Sequence, residues 1–419
     1  MDIALDPIER AVDEVAAGRP VVVVDDSARE DEADLVFAAS AATAAMMAFM
    51  VRHTSGVVCV PLTGAALDRL GLPPMTPDNQ DPLRTAWAVS VDARDGITTG
   101  ISAADRARTA RLLSDPDTEP AALVRPGHMF PLRAQPGGVL RRAGHTEAAV
   151  DLAVLAGRSP AGVIAELICD DGTMRRGAEL RSFADRHELP VVSVADLAAY
   201  RWQHERLVTQ VASTRLPTEL GVFRGYGYRS AVDGSEHLAL VHGDLGDGRE
   251  ILTRLHSECL TGDVFGSCRC DCGSQLEASM AAITAAGAGV VVYLRGHEGR
   301  GIGLLHKLQA YALQDSGRDT VDANLDLGLP TDARHYGTGA QILRHLGVRS
   351  VLLLSNNPAK AHALQRLGVG VTERRPLTTS PTPDNLRYLR TKAARLGHDL
   401  PALQDLLGGP GTVPAGEPL

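Results

Sequence analysis

The stretch that most restricts how this chain can fold is HSECLTGDVFGSCRCDCG, residues 256–273, which holds four of its six cysteines. The spacing, C-x8-C-x-C-x-C, matches neither of the common paired zinc-finger spacings. On one strand face, Cys268 and Cys272 would lie about 13 Å apart, at roughly 3.3 Å per residue. Thiolates around one zinc ion must approach within about 4 Å, because each sits ~2.3 Å from the metal. The chain therefore has to curl here, and Gly266 and Gly273 permit it. A curl can bring two of Cys268, Cys270 and Cys272 onto an ion with Cys259 and leave the third outside. Three thiolates leave a position for water and suit catalysis; four close the site and make it structural. Arg254, His256 and Glu258 stand beside Cys259, polar company that a purely structural knuckle does not need. Spacing alone leaves both arrangements open.

The other two cysteines, Cys59 and Cys169, stand far apart, so the pattern reads as a metal site in a reducing cytoplasm. The N-terminus MDIALDPIER lacks the basic-then-apolar pattern of a signal peptide, and no apolar run approaches the roughly eighteen residues of a membrane helix. A cytoplasmic protein with no membrane partner is expected. A net charge of −9 argues against a nucleic-acid partner while leaving room for local basic pockets. At 419 residues the chain can form two or three domains, each with its own core. PVVVVDD (20–26), GVVCV (56–60), VIAEL (163–167) and LPVVSV (189–194) are strand candidates between longer helical patterns. ADLAAYRWQHERLV (195–208) has helical spacing and breaks into TQVASTRLPTELGVF, which puts a domain boundary near 203–210. HLALVHG, EILTRLH, AGVVVYL and SVLLLSNNP then restart the strand pattern. The expected organisation is α+β (mixed α/β), with domains over 1–203 and 204–407, each a mixed sheet with packed helices. The Gly/Pro-rich end, 408–419, reads as a disordered tail.

DDSAREDEAD (25–34) packs six carboxylates into ten residues after a buried strand. A solvated acidic loop is one explanation, and a hard-cation site the other, since Mg²⁺ takes oxygen ligands. RPGHMFPLRAQPGGVLRRAGHTEAAVDLA (125–153) adds two Gly-His pairs among four arginines. Together they read as a magnesium site handling a small phosphorylated substrate.

From Arg254 onward the chain resembles GTP cyclohydrolase II, on RLHSECLTGD, RCDCGSQLE, EGRGIGLLHKLQAYALQD, DANLDLGLPTDAR and SNNPAK. The resemblance runs to about residue 375 and implies Zn²⁺ on Cys259, Cys270 and Cys272, with Cys268 outside. A water at the fourth position would have its pKa lowered toward ~7. It also implies GTP contacts at Arg254, Leu255, His256, Ser257, Glu258, Gln275, Glu298, Gly299, Arg300, Thr320, Ser355 and Lys360, with Ser355 replacing the usual threonine. Tyr311 would help orient the base, Asp332 would be a proton acceptor, and Arg334 a nucleophile for pyrophosphate release. That last role is awkward for a group whose pKa exceeds ~12.

Residues 5–205 are similar to 3,4-dihydroxy-2-butanone-4-phosphate synthase, on HTSGVVC, TTGISAADR and RPGHMFPLRA. This implies Mg²⁺ or Mn²⁺ on Glu30 and His145, and ribulose 5-phosphate contacts at Arg29, Glu30, Asp34, Arg142, Ala143, Gly144, His145, Thr146 and Glu166. His128 and Glu166 match the essential positions. Four residues depart from the pattern: Asp31 for asparagine, Ala33 and Arg84 for glycines, and Ala88 for a threonine that could contact substrate. Ala33 puts a β-carbon where glycine could take positive φ. The two resemblances imply a bifunctional riboflavin-biosynthesis enzyme, and a homodimer. One rival is a cyclohydrolase with a degenerate first half; another is a non-catalytic zinc protein, against which the absence of a basic, aromatic-rich face counts.

Overall fold

The computed structural model describes residues 3–27, 29–401 and 403, and the chain divides into two compact units between Arg201 and Trp202. The tail expected over 408–419 lies outside the described residues. No described helix is long and apolar enough to cross a membrane.

The first unit is built on a seven-stranded mixed sheet: β1 (Val21–Val24), β2 (Ala33–Ala38), β3 (Cys59–Thr63), β4 (Val91–Ala93), β5 (Leu123–Ala134), β6 (Gly162–Glu166) and β7 (Val191–Ser193), in the order β4-β5-β3-β6-β2-β1-β7. β1 pairs antiparallel with β2 and parallel with β7, and all four of its valines are buried. Such a strand, paired on both edges and covered on both faces, must read as a continuous β-branched run. Helices start where their caps permit: Thr43 accepts the Met46 amide ahead of helix Ala44–His53, and Ser102 that of Asp105 ahead of helix Ala103–Ser114. Met47, Met50, Ala107 and Leu113 from these helices join Leu35, Phe37 and Val60 in one core.

The four departures fall in different settings. Ala33 opens β2, opposite Val24, in extended backbone that any residue adopts, so its methyl group costs no strain. The left-handed residue of the acidic loop is Asp31, at φ 55°, a conformation that Asp and Asn both tolerate. Ala88 is buried and joins the hydrophobic core. Arg84 does stand in left-handed backbone, at φ 57°, where only glycine is free of the Cβ penalty. We expect Arg84→Gly to stabilise this unit by about 0.5 kcal/mol. That is the left-handed strain of about 1–2 kcal/mol less the entropic cost of glycine. A urea melt of the two proteins checks it, and a loss of stability would show that the Arg84 Nη1–Asn79 O hydrogen bond (2.7 Å) outweighs the strain.

The second unit has its own seven-stranded sheet: β8 (Val208–Thr218), β9 (Gly221–Ser230), β10 (Glu236–His242), β11 (Ile251–Ser257), β12 (Gly289–Leu294), β13 (Ser350–Leu354) and β14 (Gly370–Arg375), in the order β14-β13-β11-β12-β10-β9-β8. TQVASTRLPT, which follows the boundary, is the body of β8 and pairs along its length with β9. Strands β14, β13, β11 and β12 run parallel, and β12, β10, β9 and β8 alternate antiparallel. The loops that leave the carboxyl ends of β11, β12 and β13 carry the polar motifs, the usual place for a ligand in an open α/β sheet.

Candidate active sites

In the second unit one cavity gathers most of the expected nucleotide residues. Arg254, His256, Ser257, Glu258, Gln275, Glu298, Gly299, Arg300, Tyr311, Thr320, Arg334, Ser355 and Lys360 line it together with Cys259, Cys270 and Cys272. Leu255 does not. Strand alternation turns it away from Arg254 and His256, its side chain is fully buried toward Gly339, and only its carbonyl takes part, accepting Lys360 Nζ at 2.8 Å. Asp332 is not part of the lining either; Arg334 Nε donates to it at 2.9 Å, and Arg300 Nη1 lies 3.6 Å away.

The cysteine turn curls as the distances demand. Cys259 precedes the short helix Leu260–Asp263, and Cys272 opens helix Cys272–Ala285. The sulfurs of Cys259, Cys270 and Cys272 all lie within 4.8 Å of one another, whereas Cys268 is exposed and outside the group. Gly262 makes room for them: a β-carbon there would sit 2.8 Å from Cys270 Sγ and 3.2 Å from Cys259 Sγ. Hydrogen bonds from Cys270 and Cys272 push the Cys259 thiol well down, and the same contact with Cys259 holds Cys270 up at about 11. Three such sulfurs share their charge poorly without a cation, and three thiolates with a free position are a zinc-type donor set.

Neighbours brace this turn. Asp263 accepts the Cys259 amide at 3.0 Å and the Tyr293 hydroxyl at 2.8 Å, and lies 3.0 Å from His256 Nε2. Glu298 accepts the Leu260 amide at 2.6 Å and Lys307 Nζ at 2.5 Å; Lys307 also donates to Cys259 Sγ at 3.1 Å. Lys307 was missed although it stands inside the EGRGIGLLHKLQAY motif. Tyr388, Lys392 and His398 also line the cavity, but they follow every motif quoted above.

In the first unit Asp25, Glu30 and His145 place ligand atoms within 4.8 Å of one another. Asp25, in the acidic stretch but outside the ligand pair that the resemblance implies, braces the loop by accepting the Glu30 and Glu32 amides at 3.2 and 3.0 Å. His145 Nδ1 lies 3.5 Å from Glu30 Oε2 and 3.8 Å from Asp34 Oδ1. Among the described residues, His145 Nε2 and Asp34 Oδ1 are buried without a hydrogen-bond partner. Burial pushes Asp34 up to about 7, and against burial the Asp34 and Glu30 carboxylates raise His145 to about 9. Such orphaned atoms fit a site built for a cation.

Around this group stand the other expected residues. Asp34 pairs in register with Glu166 across β2 and β6, and Ser55 Oγ donates to Glu166 Oε2 at 2.5 Å. Arg29 Nη1 binds Asp25 at 2.9 Å, and Arg142 Nη1 binds Glu147 at 2.8 Å. Gly144 heads helix His145–Leu155 without a side-chain cap; a β-carbon there would lie 2.6 Å from Arg142 and 3.0 Å from Arg29. Ala143 is exposed beside it and Thr146 is buried in the first turn. His128, on β5, lies with Nδ1 2.6 Å from Asp92 Oδ2, and its amide donates to Asp92 Oδ1 at 2.9 Å. Gly100, at φ 95°, passes over this pair so closely that a β-carbon would lie 2.1 Å from Asp92 Oδ2.

Two mixed sheets, each with its own polar group of candidate metal ligands, define a chain of two fused αβ enzyme domains. Residues 9–200 match 3,4-dihydroxy-2-butanone 4-phosphate synthase, and residues 209–376 match GTP cyclohydrolase II. The chain is 63% identical over 403 residues to riboflavin biosynthesis protein RibBA of Nocardia farcinica, covering 96% of this chain and 97% of that one. It is also 63% identical over 391 residues to that of Salinispora arenicola, covering 93% of each. Among solved structures, RibBX, a two-domain 3,4-dihydroxy-2-butanone 4-phosphate synthase from A. baumannii, superposes with a TM-score of 0.68 at 36% identity, covering 88% of this chain and 99% of that one. The chain belongs to the bifunctional riboflavin biosynthesis family, in which a synthase domain precedes a cyclohydrolase domain. A cyclohydrolase with a degenerate first half is not favoured.

Proposed function

We propose that the first unit converts ribulose 5-phosphate to 3,4-dihydroxy-2-butanone 4-phosphate and formate. The second would hydrolyse GTP to 2,5-diamino-6-ribosylamino-4(3H)-pyrimidinone 5′-phosphate, formate and pyrophosphate. The observation that carries the reading is that each unit gathers a candidate ligand group, three converging sulfurs in one and Asp25, Glu30 and His145 in the other, where His145 Nε2 and the neighbouring Asp34 Oδ1 are buried without a partner.

Cys259, Cys270 and Cys272 would hold zinc, which when bound activates water at neutral pH for attack at C8 of guanine. Arg300 and Arg334 present cations to the triphosphate. Asp332 already holds Arg334 Nε and Nη2, so Nη1 is the donor left for a phosphate. Lys360, which burial pushes well below its ordinary pKa, adds a hydrogen-bond donor. Asp332, the proton acceptor that the resemblance implies, is held ionised. Burial alone would raise its pKa, but hydrogen bonds and charge from Arg334 hold it low, which makes it a weak base and an anchor for Arg334. The same contacts, working against burial, push Arg334 above its ordinary value. It therefore has no free pair with which to attack phosphorus, and we assign it to stabilising charge on the phosphates.

Glu30 and His145 would hold Mg²⁺ or Mn²⁺, which when bound polarises the substrate carbonyl and steadies charge on adjacent oxygens. The uncapped amides after Gly144, with Arg29 and Arg142 beside them, suit the substrate phosphate. His128 and Glu166, each oriented by a neighbour, move protons. Incubating the purified protein with ribulose 5-phosphate and Mg²⁺, or with GTP, and measuring formate tests both halves. Formate is expected from each substrate alone, and its absence from one sinks that half of the reading.

A further inference from the structure

Three residues of the second cavity come from a segment beyond the region matched to GTP cyclohydrolase II: Tyr388 and Lys392 on helix Leu386–Leu396, and His398 after it. The segment is fastened on two sides of the cavity. Arg395 Nη1 lies 2.5 Å from Asp319 Oδ2 and 2.8 Å from Asp322 Oδ1, tying it to helix Thr320–Asp326, which lends Thr320 to the lining. The Asp399 amide donates to Asn356 O at 2.9 Å, tying it to the loop after β13. Between these anchors Lys392 reaches inward. Its Nζ donates to Asp271 Oδ1 at 2.7 Å, and the two side chains are only 8% and 2% exposed.

Asp271 stands between Cys270 and Cys272 in the chain. Its second oxygen accepts Gln275 Nε2 at 2.5 Å, and Gln275 Oε1 accepts Arg254 Nη2 at 2.5 Å. One buried polar chain therefore runs from helix Leu386–Leu396 through the cysteine turn to β11. A buried ion pair is a poor stabiliser: taking both charges out of water costs about as much as their attraction returns, and an apolar pair of like volume often serves stability as well. This pair joins the turn that presents two sulfurs to an arginine of the cavity. We infer that Lys392 is a positioning residue of the cyclohydrolase site, fixing Asp271 and, through it, the turn carrying Cys270 and Cys272 and the aim of Gln275 and Arg254. The inference rests on the proposed GTP reaction and adds to it a segment outside the matched region.

The test uses the full chain as wild type, Lys392→Met and Lys392→Arg, with Co²⁺ exchanged for zinc to report thiolate geometry by absorption. Wild-type zinc content and GTP turnover come first, and failure there overturns the cyclohydrolase reading itself, before any variant is compared. Given an active wild type, Lys392→Met is expected to shift the thiolate-to-cobalt band. It should also lose about tenfold to a hundredfold in kcat per bound metal, the range seen when partners that orient metal ligands are removed. Lys392→Arg should recover most of both. A Met variant that keeps the wild-type band and kcat per bound metal overturns the inference, whatever its melting temperature. Should that variant not fold, the neutral pair Asp271→Asn/Lys392→Met is read by the same two measurements, and an unchanged band overturns it equally.

Discussion

Replacing Cys270 by serine should strip zinc from the protein and lower GTP turnover by at least about a hundredfold, beyond the usual loss of a mere orienting partner. Replacing Cys268 by serine should leave one zinc per chain and turnover near wild type. The contrast follows from position. Cys270 Sγ lies 3.7 Å from Cys259 Sγ at the centre of the group, while Cys268, two residues earlier, is exposed on the outer side of the turn. Metal analysis of the two variants decides between three ligands and four. Loss of zinc from Cys268→Ser would make the site closed and structural, and the catalytic reading would fall with it. Formate release from ribulose 5-phosphate should be untouched in both, because that chemistry uses residues of the other unit.

His128→Gln should lower formate release from ribulose 5-phosphate by about 10²–10⁴-fold, the range for losing a positioned proton-transfer group, with GTP turnover unchanged. Asp92 takes the Nδ1 side of the ring at 2.6 Å, so Nε2 is the nitrogen left to work, and the half-exposed ring offers it to substrate. Asp92→Asn keeps the shape but removes the charge that fixes this tautomer, so it should lose a smaller part of the same rate. Steady-state kinetics of the two variants on each substrate give the answer. If His128→Gln turns over ribulose 5-phosphate at the wild-type rate, Glu166 carries the proton transfers without it.

The cysteine turn, the alternating strands and both motif sets were legible along the chain because each depends on spacing within a few residues. Ala33 was misjudged for the converse reason. Whether a residue of the acidic loop is left-handed depends on where β2 begins, and pairing with β1 and β6 sets that, placing the left-handed residue at Asp31 instead. Leu255 sat inside a recognisable motif, yet the two-residue period of β11 turned it into the core.

By sequence alone two αβ domains and two sets of candidate metal-ligand motifs could be read. Local patterns suffice for that: strand and helix periods mark the domains, and clustered thiolates or carboxylates mark the motifs. Only the tertiary structure decided what orients those groups. Asp92 lies 36 residues from His128, Ser55 lies 111 from Glu166, and Lys392 lies 121 from Asp271. No local pattern links such partners, because sheet order and helix Leu386–Leu396 bring them together and burial then makes each hydrogen bond matter.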